Sequence, residues 1–320
     1  MPKVSVIVPV YGVEKYIERC ARSLFEQTLD DIEYLFIDDC TPDKSIEILK
    51  QVMNDYPQRI QQVVIHRMEQ NSGQAAVRKW GILHATGEYV IHCDSDDWVD
   101  VHMYEEMYNK ATEKGADVVV CDFAIHDGNN VNEIVHACGS LKYQEFLERI
   151  LFQRDSWSLW NKLFKREVCY KNIIYPNGNM GEDMLICIQM LLSCNSMSYV
   201  PKGYYFYYCN SSSISNKKEI ANQVRNYEHL KDNTDILIEI LKRKNIRKQK
   251  WVINGFQYNA IMPLMKVIHC NKKYRDLWLN TYPGAILTYI FNPYIDIKKR
   301  FKCLLAIFGF YPFKKDRIII

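Results

Sequence analysis

The chain has 320 residues, 25% of them charged and 48% hydrophobic, with 41 basic against 38 acidic side chains. That is ample apolar material for a sizeable core, and it excludes wholesale disorder. A net charge of +3 is too small to argue for nucleic acid, and no such partner is expected.

The chain opens Met1-Pro2-Lys3 and runs straight into Val4-Ser5-Val6-Ile7-Val8, with no basic leader or small-residue cleavage site. No run of about 18 apolar residues occurs, so no membrane-spanning helix is expected. The 11 cysteines contain no CxxC pair. Reduced, mostly buried thiols in a cytoplasmic protein are the expectation.

The first part of the chain alternates strand and helix signals, as an α/β layer should. Val4 to Val8 is a β-branched run that Pro9 is expected to stop. Helical spacing follows over Val13 to Gln27, then a strand over Ile32 to Ile37 and a helix over Ser45 to Met53. Val63 to His66 reads as a strand, Gln74 to Ala85 as a helix, and Tyr89 to His92 as a strand that stops at a cluster of acids. Met103 to Lys114 is helical and Asp117 to Cys121 extended. Beyond residue 121 the rhythm changes. Ile125 to Val135 reads as a hairpin around His126-Asp127-Gly128-Asn129-Asn130. Helices are expected at Gln144 to Phe152 and Asp183 to Leu192, and an aromatic strand at Tyr204 to Tyr208. From about Asn216 the pattern is helical, with basic runs at Lys242-Arg243-Lys244 and Lys298-Lys299-Arg300. The division expected is a domain over 1–215, with halves 1–121 and 122–215, then a helical region over 216–320; the border is placed in the polar stretch Ser211 to Lys217.

Ligands of a doubly wound sheet settle at the carboxyl ends of its strands. Those ends carry Pro9-Val10-Tyr11, Asp38-Asp39, Asn71-Ser72-Gly73 and Asp94-Ser95-Asp96-Asp97. Several carboxylates on one crevice are costly unless a positive group neutralises them. A divalent cation, Mn²⁺ or Mg²⁺, held between one or two of them and a nucleotide's phosphates is the economical answer.

The strings VSVIVPVY, FIDDCTPD, NSGQAAVRKWG and HCDSDDW, in this order and spacing, resemble the family 2 glycosyltransferases. That resemblance implies the GT-A fold, a mixed α/β sheet flanked by helices, here with a C-terminal helical extension. One departure is Cys40-Thr41-Pro42, where the family usually has a small Gly/Ser-containing turn. The implied activity is inverting transfer of a sugar from a nucleotide-sugar, with uridine favoured, to a saccharide or lipid-linked saccharide acceptor.

The resemblance implies roles residue by residue. Tyr11 would lie against the base, Asp39 would accept from the uracil imide, and Asp94 would hold the ribose and help Asp96 ligate the metal. Arg78 would lie near the phosphates and Gly73 where the backbone passes close to the ligand, while Pro9 and Ser95 complete the donor set. Asp183, with Glu182 beside it, would supply the catalytic base. Trp160, Asn161 and Lys162 match a stretch common among bacterial members and would meet the acceptor.

Plainer readings stand beside these. Tyr11 could cap the core, Arg78 could be a solvated helix residue, and Glu182 and Asp183 could merely favour a helix N-terminus. Trp160, Leu163 and Phe164 could form one packed helical face. Asp38 reads better as a turn cap than as a ligand contact, and His66, His84 and His92 read as structural. A nucleotidyltransferase would normally show a Gly-rich basic loop where Val10-Tyr11-Gly12-Val13-Glu14 stands. A non-catalytic scaffold would not need the acids at Asp39, Asp94, Asp96 and Asp183.

Ile297 to Phe313 mixes Phe301, Leu304, Leu305, Ile307, Phe308 and Phe310 with Lys298, Lys299, Arg300 and Lys302, and Lys314 and Lys315 follow. Two readings stand: an amphipathic helix in an anionic membrane interface, making the protein peripheral on the cytoplasmic face, or a helix packed on the catalytic domain with its basic face in water.

Overall fold

The computed structural model describes residues 1–128, 130–138, 142–176, 178–209, 219–246, 248–292 and 295–308. Its contacts divide the chain into two compact units, Met1–Ser211 and Ser212–Ile320. The border expected within Ser211 to Lys217 falls outside the described residues, as do Asn129 of the hairpin turn and the tail beyond Phe308.

In chain order the first unit begins with β1 (Val4–Val10), α1 (Ile17–Phe25), β2 (Ile32–Asp38), α2 (Ser45–Asn54), β3 (Val63–Arg67), α3 (Gln74–His84) and β4 (Tyr89–His92). It continues through β5 (Trp98–Val99), α4 (Met103–Lys114), β6 (Val118–His126), β7 (Val131–Val135) and α5 (Tyr143–Leu151). β8 (Lys162–Lys165), α6 (Arg166–Cys169), α7 (Glu182–Leu191) and β9 (Met197–Tyr208) complete it. The strands form one mixed sheet in the order β3-β2-β1-β4-β8-β6-β9-β5, with β7 paired to β6. β1 to β4 run parallel, and β8 lies antiparallel between β4 and β6.

β1 is apolar almost throughout because a parallel strand covered on both faces has no solvent side. Pro9 does not stop it, contrary to expectation: Pro9 pairs with Ile37 and the strand runs to Val10. The Ile7 carbonyl accepts from Cys93 N, so alternate residues of β1 face β4, and β4 ends at His92 opposite Ile7. Pro9 therefore faces a side where the ladder has finished, and its missing N–H leaves no partner unsatisfied.

Two other expectations change. β6 runs through residues 121 and 122, so the halves expected to meet there share a strand. Lys162–Lys165 is a strand, which excludes a helical face for Leu163 and Phe164; four residues are too few for periodicity to separate the two. The main core of this unit lies on one face of the sheet and runs from Val6, Val8, Leu24 and Phe36 in the parallel half to Val119, Leu163 and Tyr205.

The second unit is helical: α8 (Ile220–Lys242), α9 (Gln249–Met265), α10 (Lys272–Thr281), α11 (Pro283–Phe291) and α12 (Ile297–Ile307). Its own core gathers Tyr258, Ile261, Leu264, Trp278, Ala285, Ile286, Cys303 and Ala306.

Candidate active site

β1 pairs with β2 on one side and β4 on the other, so the strand order reverses at β1 and a crevice opens at the carboxyl ends. Tyr11 stands there with its ring 47% exposed, which excludes the core-capping reading. Its loop is held by the turn after β2. Gly12 N donates to Thr41 Oγ1 (2.9 Å), Val13 N to Ser45 Oγ (3.1 Å) and Glu14 N to Asp43 Oδ2 (2.9 Å). These bonds occupy residues 12–14, and α1 accordingly starts at Ile17 rather than at Val13.

Asp38 takes the turn role. Its Oδ1 accepts from Thr41 N (2.7 Å) and its Oδ2 pairs with Arg67 (2.8 Å). The turn stays tight without a glycine because Cys40 adopts a left-handed conformation, φ 57°. Asp39 reaches the next loop, accepting from Ser72 N (2.7 Å) and Gly73 N (2.8 Å). Gly73 has φ 81°, and a methyl group there would overlap the Asn179 amide. Asn179 Oδ1 also accepts from Ala75 N at 3.4 Å. The loop before α7 thus reaches the loop before α3, a crossing that sequence reasoning missed; a lone asparagine between glycines carries no motif.

The Asp94–Asp97 turn is built from below. Ser95 Oγ donates to the Pro9 carbonyl (2.6 Å), fixing the turn to the end of β1. Asp97 is buried and structural, accepting from Tyr205 Oη (2.6 Å) and Tyr208 N (2.7 Å), while Asp94 N donates to the same Tyr205 oxygen (3.1 Å). Asp94 and Asp96 stay partly exposed. Burial and the neighbouring Asp94 charge push the Asp96 carboxyl up to about 6.

Arg78 is buried, not solvated. Its Nη2 pairs with Asp94 Oδ1 (2.9 Å), its Nε lies 3.8 Å from Glu182 Oε1, and its Nη1 meets His92 Nδ1 (3.2 Å). His92 is held neutral, by burial first and by the Arg78 charge second. One guanidinium therefore ties the turn after β4 to the start of α7. The protein itself supplies part of the positive charge that the crowd of acids needs, which the sequence reading assigned wholly to a metal.

At the start of α7, Gly181 adopts φ 76° and turns the chain into the helix. Glu182 points inward to Arg78, whereas Asp183 remains partly exposed, with Oδ1 accepting from Met184 N (2.7 Å). Burial raises both carboxyls, the Asp183 charge adds to the rise at Glu182, and Arg78 opposes it at both. Glu182 thus has a partner in Arg78 beyond the helix end itself.

The Asp96 shift has a sign that can be tested. A folded value of about 6 against 3.8 means that ionisation costs the fold about 3 kcal/mol, absent well below pH 4 and complete above pH 6. In chelator-treated protein, Asp96→Asn should raise the melting temperature by roughly 5 °C at pH 7.5, fading towards pH 4. Scanning calorimetry at both pH values checks it, and a lower melting temperature at pH 7.5 would contradict the like-charge account.

Trp160, Asn161 and Lys162 do not form an open acceptor platform. Trp160 stacks on Tyr205 (4.2 Å between centroids, 13°) and meets Phe123 edge-on. Lys162 is buried, its Nζ donating to Ser156 O (2.9 Å), Ser158 O (2.8 Å) and Asn161 Oδ1 (2.9 Å). Asn161 donates in turn to Cys121 O (3.0 Å). A lysine whose three donors are spent internally has none left for a sugar. These residues support the Tyr205 ring beneath the acid turn.

A parallel nucleotide-type half, an acid turn after β4 and a carboxylate-bearing helix start across the crevice define a GT-A glycosyltransferase. Residues 5–173 match the family described as Glycosyl transferase family 2, and the chain belongs to that family. Among curated relatives, it is 28% identical to the poly(ribitol-phosphate) beta-N-acetylglucosaminyltransferase TarP of Staphylococcus aureus, over 89% of each chain. It is 29% identical to the glycosyltransferase GlyA of Streptococcus pneumoniae over 67% of this chain, but spans only 31% of that protein's length. Among solved structures, S. aureus TarS 1–349 in complex with UDP-GlcNAc superposes with a TM-score of 0.67 at 18% identity, covering 97% of this chain and 89% of that one.

Proposed function

We propose that this glycosyltransferase moves a hexosyl or N-acetylhexosaminyl group from a UDP-sugar to a hydroxyl of a saccharide or lipid-linked saccharide, with inversion and with a divalent cation. The observation that carries the reading is the Arg78 bridge, which sets the Asp94–Asp96 turn and the Glu182–Asp183 helix start on one crevice. The TarS complex holding UDP-GlcNAc supports the uridine donor, and the poly(ribitol-phosphate) activity for which TarP is named supports a glycan-type acceptor.

On this reading the exposed Tyr11 ring stacks on the base. Asp39 retains lone pairs for an imide N–H beyond the two backbone donors it already accepts. Asp94 and Asp96 fit a hard cation: they are carboxylates, partly exposed, and Asp96 resists ionisation beside its neighbour. No group of three or more His, Cys, Asp or Glu that could hold a metal occurs among the described residues, so a cation here would need phosphate oxygens and water as further ligands. When bound, the cation would stabilise charge on the departing diphosphate. Asp183 takes the proton from the acceptor hydroxyl as that oxygen attacks the anomeric carbon from the face opposite the leaving group.

A UDP-release assay across UDP-sugars, with Mn²⁺ and with chelator, tests the proposal. Release stimulated by an acceptor and abolished by chelation is expected, and Asp96→Ala should weaken Mn²⁺-dependent UDP binding in calorimetry by roughly tenfold or more. Absence of binding to any UDP-sugar in the presence of metal would overturn the uridine assignment, and metal-independent turnover would overturn the cation.

A further inference from the structure

α12 is packed with its polarity reversed. Its fully buried side chains are small, Cys303 and Ala306, with Ile307 half-buried beside them, while Ile297, Phe301 and Leu304 face outward. Ile297 is 69% exposed, Phe301 58%, Leu304 37% and Phe308, just past the helix end, 68%. Positions i, i+4, i+7 and i+11 fall on one narrow stripe of a helix, so these four form a single apolar ridge. Lys298 and Lys302 flank it, exposed, and line a shallow hollow with Ile297, Phe301 and Leu305. α11 packs on α12 and carries two exposed apolar side chains of its own, Leu287 and Phe291. From Pro283 to Phe308 the only acidic residue is Asp296, whose Oδ1 is engaged with Lys298 N at the helix start.

A helix serving only to close its own core would turn its phenylalanines inward. Here Cys303, Ala306 and the half-buried Ile307 make the core contact, and the outward face carries the phenylalanines that water disfavours. The apolar ridge alone would suit many surfaces; the basic flank with almost no acid selects a negatively charged one. No helix among the described residues is long and apolar enough to cross a membrane. We propose that the outward face of α12, with the end of α11, is a docking surface for a bilayer rich in anionic lipid. The ridge enters the headgroup boundary and Lys298 and Lys302 meet the lipid phosphates.

The test is flotation of the full chain with vesicles of phosphatidylcholine alone and of phosphatidylcholine mixed with phosphatidylglycerol. Wild-type protein should float with the anionic vesicles, less so at high salt, and not with neutral ones. Phe301→Ser combined with Phe308→Ser should weaken the association roughly tenfold or more. Lys298→Gln with Lys302→Gln should weaken it and flatten the salt dependence. All these side chains are exposed, so both variants should melt as wild type does. The proposal is overturned if wild-type protein stays free of anionic vesicles or if the serine variant floats equally well. It is also overturned if light scattering shows a wild-type oligomer that the serine variant dissolves, since a second copy would then cover the ridge.

Discussion

Replacing Asp183 with asparagine is expected to slow sugar transfer roughly 10²–10⁴-fold, the usual contribution of a positioned general base, while UDP affinity changes by less than about twofold. Asparagine preserves the shape and can still accept from Met184 N, so the start of α7 should stay in place. What disappears is the site for the acceptor proton. The pH profile separates this role from a structural one. Burial raises the Asp183 carboxyl above the usual aspartate range. A base must be ionised to act, so the wild-type rate should fall as pH drops through that elevated value. The residual rate of the asparagine variant should lack that limb. Single-turnover transfer measured from pH 5 to 8, beside UDP calorimetry, checks both halves. Turnover at the wild-type rate would remove Asp183 from the mechanism.

The parallel half of the fold was readable from sequence because each of its elements repeats one physical pattern. β4 and α4 begin and end where the residues predicted, since both lie between unambiguous breaks such as the acid turn and Gly115. The second half was harder for a reason visible in β9. Pro201-Lys202-Gly203 interrupts its apolar pattern, and the pairing with β6 shifts register at Asp122, so only Tyr204 to Tyr208 looked extended. β8 is too short to show a period at all.

The site divides in the same way. Acids at strand ends are conspicuous, and their placement follows from topology once the strands are known. What no local pattern encodes is which groups meet across the crevice. Lys162 reads as an acceptor contact in the sequence, yet its Nζ bonds back to Ser156, Ser158 and Asn161 and make it a buried support. Arg78 was assigned to phosphates because arginine binds them well. Its partners within the chain, Asp94 and Glu182, lie 16 and 104 residues away in sequence, and only the folded sheet brings them together.

That placement gives Arg78 the largest expected effect on stability. Arg78→Met removes a buried cation and leaves Asp94, Glu182 and the His92 ring without their shared partner. Breaking a buried ion pair from one side typically costs about 3–5 kcal/mol, because the stranded charge stays in a poorly solvated place. For a unit of this size that corresponds to a fall of roughly 10 °C in melting temperature at pH 7.5. The sign with pH follows from the carboxylates. Burial already raises Glu182, and losing Arg78 removes the attraction that held it down, so its ionised form becomes costlier. Burial pushes the wild-type Glu182 carboxyl up to about 8, and without Arg78 it should rise further, so the gap between wild type and variant should widen as pH rises through 8. Arg78→Lys keeps the charge but cannot span Asp94 and Glu182 with one planar group, and should recover only part of the loss. Calorimetry of the three proteins across pH decides the matter. A gap that is small, or constant with pH, would mean that Arg78 does not neutralise these acids and that another cation does.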